Sequence, residues 1–147
     1  MEQKPNPTLR HKARHYAMQA LYQWQMAGAT LNAIEAEFHA DYDMTKVDVA
    51  YFHEILHGVP QMLSELEALI EPVIDRKLTE LDPISRALLR MGVYELVNRI
   101  DVPYRVVINE TVSLAKKFGA EDSYKYVNGV LDVIAKDVRR VEVSAEK

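Results

Sequence analysis

Apolar residues recur along this chain at three- and four-residue steps almost from end to end, the spacing that turns one face of a helix towards a core. Ala13, Ala17, Ala20, Leu21 and Trp24 form the first stripe, with Thr8 expected to cap the helix and Gly28 to stop it. Thr30 opens a shorter one through Leu31, Ile34 and Phe38. A third begins near Asp48 and takes Phe52, Ile55, Val59, Leu66 and Leu69. Pro60 falls within it and predicts a kink or a break, because proline lacks the amide proton the helix ladder uses. Pro72 ends this stretch or starts a short helix through Ile74 and Leu78.

Asp82-Pro83 pairs an N-cap with proline at the first helical position. The helix it opens, Ile84 to about Asn98, is apolar on nearly every side, as central buried helices are. Val107, Ile108, Val112 and Leu114 predict a further helix ending at Phe118, with Gly119 as its C-cap. The β-branched run Val106-Val107-Ile108 also suits a strand, but a lone strand has nothing to pair with. Asp122 or Ser123 then caps a last helix through Val127, Val130, Leu131, Ile134 and Val138. Asn128-Gly129 inside it is a hairpin signal by composition, set against a helical period on both sides. The helical reading makes Gly129 a point where a neighbouring helix approaches closely. The whole predicts an all-α, compact fold of two small bundles joined near residues 72–82.

Composition narrows the function. A chain of 147 residues with 48% hydrophobic residues has ample core material, and it contains no cysteine, which removes disulfides, thiol nucleophiles and thiolate zinc sites. No apolar run reaches the roughly 18 residues of a membrane span. The N-terminal stretch has no apolar h-region, so no secretory signal is expected and a cytoplasmic location is. Lys4, Arg10, Lys12 and Arg14 against Glu2 give residues 1–14 a net charge of +3, leaving −7 on the rest of a chain whose total is −4. A basic arm on an acidic body suggests a local anion site rather than a generally basic nucleic-acid binder.

Catalytic chemistry is hard to assemble. His53-Glu54-Ile55-Leu56-His57 has the H-E-x-x-H spacing that puts two zinc-binding histidines on one helix face, with the glutamate as general base. A third protein ligand is needed, and neither Glu71 nor Glu80 lies on a clear ligand-bearing helix. The pattern is therefore read as an exposed helical face, and no metal or other cofactor is expected. His11 and His15 are also four apart, but Arg10, Lys12 and Arg14 oppose a cation there. With no glycine-rich phosphate loop and no defensible nucleophile triad, the chain reads as a binding protein rather than an enzyme. Tyr22 on the first helix, and Tyr124 and Tyr126 beside Lys125 on the last, are the side chains on which single-stranded RNA bases could stack.

Several segments together resemble the NusB family of bacterial transcription antitermination factors. They are Arg10-His11-Lys12-Ala13-Arg14 with Ala17 to Trp24, Leu88 to Leu96, Asp101-Val102-Pro103-Tyr104, Val107-Ile108-Asn109-Glu110, Leu114 to Gly119, and the stretch to Asp132. They run in the family's order across essentially the whole chain. The resemblance implies a single domain over 1–147 made of two three-helix subdomains, approximately 1–77 and 78–147. It implies no catalysis, pairing with the ribosomal protein NusE, and binding of boxA RNA in nascent transcripts, notably ribosomal RNA. NusA, NusG and RNA polymerase complete that complex, which suppresses termination; family members occur as monomers or homodimers. A NusB-like domain also precedes a methyltransferase domain in some proteins, but no stretch here suits a methyl donor, so a stand-alone factor is expected.

Carried over by position, the resemblance implies RNA contacts at Arg10, Lys12, Arg14, Tyr22, Asp122 and Tyr126. His11 stands where an arginine is common, which dilutes the basic motif. A partner-facing acidic position falls on Ser85, with Glu80 and Asp82 nearby.

Overall fold

The computed structural model describes residues 5–146, so Glu2 and Lys4 of the basic arm lie outside the described residues. Its α-helices are α1 (Pro7–Ala27), α2 (Leu31–Asp41), α3 (Val49–Gln61), α4 (Leu63–Ile70), α5 (Pro83–Asn98), α6 (Tyr104–Phe118), α7 (Ser123–Val138) and α8 (Arg140–Ala145). Short 3-10 turns occupy Met44–Lys46 and Leu78–Glu80, and no strand occurs among the described residues. The run Val106-Val107-Ile108 lies inside α6, where Val107 and Ile108 are buried. None of the described helices is long and apolar enough to cross a membrane.

Side-chain caps account for half of the described α-helix starts. The side chain of Thr30 accepts a hydrogen bond from the Ala33 amide at 3.2 Å, Asp48 from Tyr51 at 3.1 Å, and Asp82 from Ser85 at 2.9 Å. The start of α1 differs from expectation. Asn6 is its cap, accepting from the amides of Thr8 and Leu9 at 3.0 and 3.2 Å, and Pro7 is the first helical residue. Thr8 is already the second helical residue. At α7 the cap position is Asp122, but no side chain makes a capping bond there. Pro60 ends α3 within one residue, and Met62 leaves the helical conformation before α4 begins.

Two compact units divide between Gly58 and Val59, inside α3 and earlier than the expected boundary after residue 77. The reason is α4, which lies against α5 and α7 and so belongs with the second unit. In the first unit α1 lies against α2, and its core includes Ala17, Leu21, Ile34, Phe38, Phe52 and Ile55. In the second, α5 is buried without a gap from Ala87 to Leu96 and is flanked by α4, α6 and α7.

The close approach expected at Gly129 occurs at Gly92 instead. A Cβ on Gly92 would stand 2.9 Å from Leu131 Cδ1 and 3.3 Å from Thr111 Oγ1, whereas one on Gly129 would meet nothing within 4 Å. Gly129 and Asn128 face solvent on α7.

One buried cation ties the ends of this unit together. The Arg139 guanidinium donates to the carbonyls of Leu96 and Arg99 at 2.7 and 2.9 Å, satisfying the C-terminal end of α5. It also pairs with Glu142 at 2.6 Å, and the other Glu142 oxygen accepts from the Tyr104 amide, the first of α6, at 2.9 Å.

Candidate nucleic-acid interface

In the first unit the candidate RNA residues separate into an inward and an outward set. Arg10 and Arg14, one turn apart on α1, both aim at the ring of Tyr51 on α3, their guanidinium carbons 4.4 and 5.2 Å from its centroid. Arg10 also pairs with Asp48 at 3.5 Å. Arg14 is only 3% exposed. A buried guanidinium stacked on an aromatic face holds α1 to α3, so Arg14, expected at an RNA surface, is instead buried and braces α1. Lys12, between them in sequence, is turned outwards and exposed, as is Tyr22 further along α1.

A denser cluster forms in the second unit around the first turns of α7. Tyr124 and Tyr126 are two residues apart, so the helix turns them to opposite sides. On one side Lys116 of α6 brings its ammonium 4.8 Å from the Tyr124 ring centroid, and Lys125 approaches the same ring at 6.0 Å. On the other side the Arg76 guanidinium stands 5.4 Å from the Tyr126 ring centroid, and the Tyr126 hydroxyl donates to Asp75 at 3.3 Å. Between them lie the exposed residues Asp122, Lys125, Asn128 and Gly129.

Electrostatics fix the protonation states. Burial, then the neighbouring Asp75 charge, pushes the Tyr126 hydroxyl above its ordinary value, so it stays neutral and donating. The bidentate Arg76 partner at 2.9 and 3.3 Å holds the Asp75 carboxyl below the usual range despite opposing desolvation. Asp122 adopts the left-handed conformation with φ 68°, one that short polar side chains tolerate better than others. Its carboxylate reaches Lys125 at 3.4 Å in an exposed pair, which solvent makes weak. The α7 amide dipoles add positive potential at the same place. Half-buried aromatic rings, three flexible or planar cations and a solvent-facing Asn-Gly step suit a single-stranded nucleic acid: rings for bases, cations for phosphates.

Sequence reasoning reached Tyr124, Lys125 and Tyr126 but missed Arg76 and Lys116. Lys116 carries a faint signal, since it shares a Lys-Lys pair ending α6 just before the turn into α7. Arg76 lies between α4 and α5, and nothing local marks it. Of the partner-facing candidates, Glu80 and Asp82 are exposed, although the Asp82 side chain also caps α5. Ser85 is 3% exposed and is corrected from a surface contact to a buried position in the first turn of that helix.

The NusB family model matches residues 11–136. Among relatives, the transcription antitermination protein NusB of Saccharophagus degradans is 58% identical over 143 residues, 97% of this chain and 95% of that protein. That of Teredinibacter turnerae is 57% identical over 145 residues, 98% and 99% of the two chains. Among solved structures, NusB of T. maritima superposes with a TM-score of 0.78 at 29% identity, covering 92% of this chain and 94% of that one. A crystal structure of the antitermination factors NusB and NusE in complex with dsRNA gives a TM-score of 0.75 at 26% identity, covering 86% and 95%.

Proposed function

This chain belongs to the NusB family, and from that premise we infer that it is a transcription antitermination factor which pairs with ribosomal protein NusE and binds boxA RNA. It works by binding, as its family does, and not as an enzyme. Its site of action is the cytoplasmic transcription complex, where NusA, NusG and RNA polymerase join it on nascent transcripts, notably ribosomal RNA. The observation that carries this reading is the α7 cluster, in which Tyr124 and Tyr126 are each accompanied by a cation. A related NusB has been crystallised with NusE in complex with dsRNA, which supports NusE as partner and RNA as ligand.

In this reading bases of a single-stranded segment stack on the tyrosines, and Lys116, Lys125 and Arg76 hold the phosphates between them. Lys12 and Tyr22 of α1 make further RNA contacts, and Arg10 and Arg14 keep α1 in place. Glu80 and Asp82 face NusE. A homodimer that covers the same tyrosines would compete with RNA.

Fluorescence anisotropy of a short boxA RNA, titrated with and without NusE beside a scrambled RNA, tests the assignment. The expected result is tighter binding to boxA, strengthened by NusE. Equal binding of both RNAs, with NusE present, would refute it.

A further inference from the structure

The H-E-x-x-H segment of α3 lacks a third ligand in sequence, and the fold supplies one. Glu35, on α2, reaches both histidines at once: one carboxylate oxygen lies 2.7 Å from His53 Nδ1 and the other 2.9 Å from His57 Nε2. The imidazole centroids are 4.2 Å apart with 31° between the ring planes, so both rings present a nitrogen edge to the same carboxylate. The three ligand atoms lie within 4.8 Å of one another, and no other such group occurs among the described residues.

We propose that Glu35, His53 and His57 form a binding site for a divalent transition-metal ion of the zinc class. Two imidazoles and one carboxylate are a donor set that such ions favour, while magnesium and calcium prefer oxygen alone. Ligands about 2.1 Å from a tetrahedral ion stand roughly 3.4 Å apart. The nitrogens therefore need to withdraw from the carboxylate by about 0.5–0.7 Å, and the widest pair of ligand atoms to close by about 1.4 Å at most, within rotamer freedom at a surface. A carboxylate can only accept, so His53 Nδ1 and His57 Nε2 each carry a proton towards it. Each nitrogen becomes free for the ion when its proton moves to the other ring nitrogen of a neutral imidazole or, from an imidazolium, leaves to solvent.

Access is open on one side. The side chains of His53, His57 and Glu35 are 57%, 27% and 17% exposed, so an ion enters from solvent and water completes its coordination. An ordinary helix-to-helix clamp would need one histidine on Glu35; the second is what makes a chelate. Glu54, the general base of the hydrolase pattern, is not in the cluster and has an interaction of its own. The site is a metal-held brace between α2 and α3, without hydrolytic machinery.

The test is metal uptake by the full-length, untagged protein after chelator treatment, followed by calorimetric titration with zinc and by the visible spectrum with cobalt(II). One equivalent per chain is expected, with intense cobalt bands of a low-coordinate site and a rise in melting temperature. Glu35→Gln and His53→Gln should each weaken zinc at least tenfold, while His39→Gln changes nothing. His53 is exposed enough that its variant folds, as circular dichroism will verify, so it decides the matter even where His57→Gln does not fold. Absence of saturable uptake, or uptake unchanged in His53→Gln, would overturn the proposal.

Discussion

Lys12 and Arg14 show how two cations in one sequence motif acquire different work. The motif Arg10-His11-Lys12-Ala13-Arg14 reads as a uniform basic arm, but helical geometry turns residues 10 and 14 together towards Tyr51 and leaves Lys12 on the other side. Neutralising Lys12 should therefore lower the slope of log affinity against log salt by about 0.7, one phosphate contact on a single strand. Arg14→Ala should instead lower the melting temperature and leave the slope unchanged; the two titrations, run beside thermal melts, separate the roles. A second residue-scale expectation concerns Glu146, which accepts from Arg105 at 2.7 Å and from the Tyr104 hydroxyl at 2.6 Å. These donors, Arg105 foremost, hold its carboxyl below the ordinary 4.5. A depressed carboxylate contributes stability that is complete above its unfolded value and is lost as pH falls through the folded one. The Glu146 carboxyl carbon should titrate below 4.5 by NMR and move back up in Arg105→Gln. A midpoint at or above 4.5 in the unaltered protein would contradict the contact.

At the scale of elements, two glycines test how α5 and α7 are built. Gly92 faces Leu131 and Thr111 at distances that leave no room for a methyl group, and Leu131 is fully buried and has nowhere cheap to go. Gly92→Ala should destabilise by about 1 kcal/mol, overpacking outweighing the gain in helix propensity. Gly129 has open space, so Gly129→Ala should stabilise by about 1 kcal/mol. Denaturant melts of the two variants check both signs. The close approach was expected at Gly129 and lies at Gly92, because a glycine in a helix signals an exception without saying which neighbour requires it. Helix existence was more legible than helix chemistry. Thr30 and Asp82 cap the helices they were expected to open, and Asp48, expected only near a helix start, caps α3, since capping is local. Asn6-Pro7 is the same kind of signal as Asp82-Pro83, and Thr8 beside it was the weaker choice.

For the molecule as a whole, the all-helical class was written in the apolar period, and the family in segments spread over the entire chain. What the period could not carry was anything decided by contacts between distant segments. The burial of Arg14 depends on Tyr51, the pairing of Tyr126 depends on Asp75 and Arg76, and the convergence on Glu35 joins positions 18 and 22 residues apart. The boundary at Gly58 likewise follows from where α4 lies, not from the prolines around residue 72. In the proposed function RNA is held at the half-exposed start of α7. The most direct measurement is the affinity of boxA RNA for the NusE-bound protein, compared between the unaltered chain and Tyr126→Ala. Loss of one stacked base corresponds to about 1–3 kcal/mol, so affinity should fall between roughly fivefold and 150-fold, with the circular dichroism spectrum unchanged. An affinity within twofold of the unaltered protein would contradict the account and move the RNA off this face.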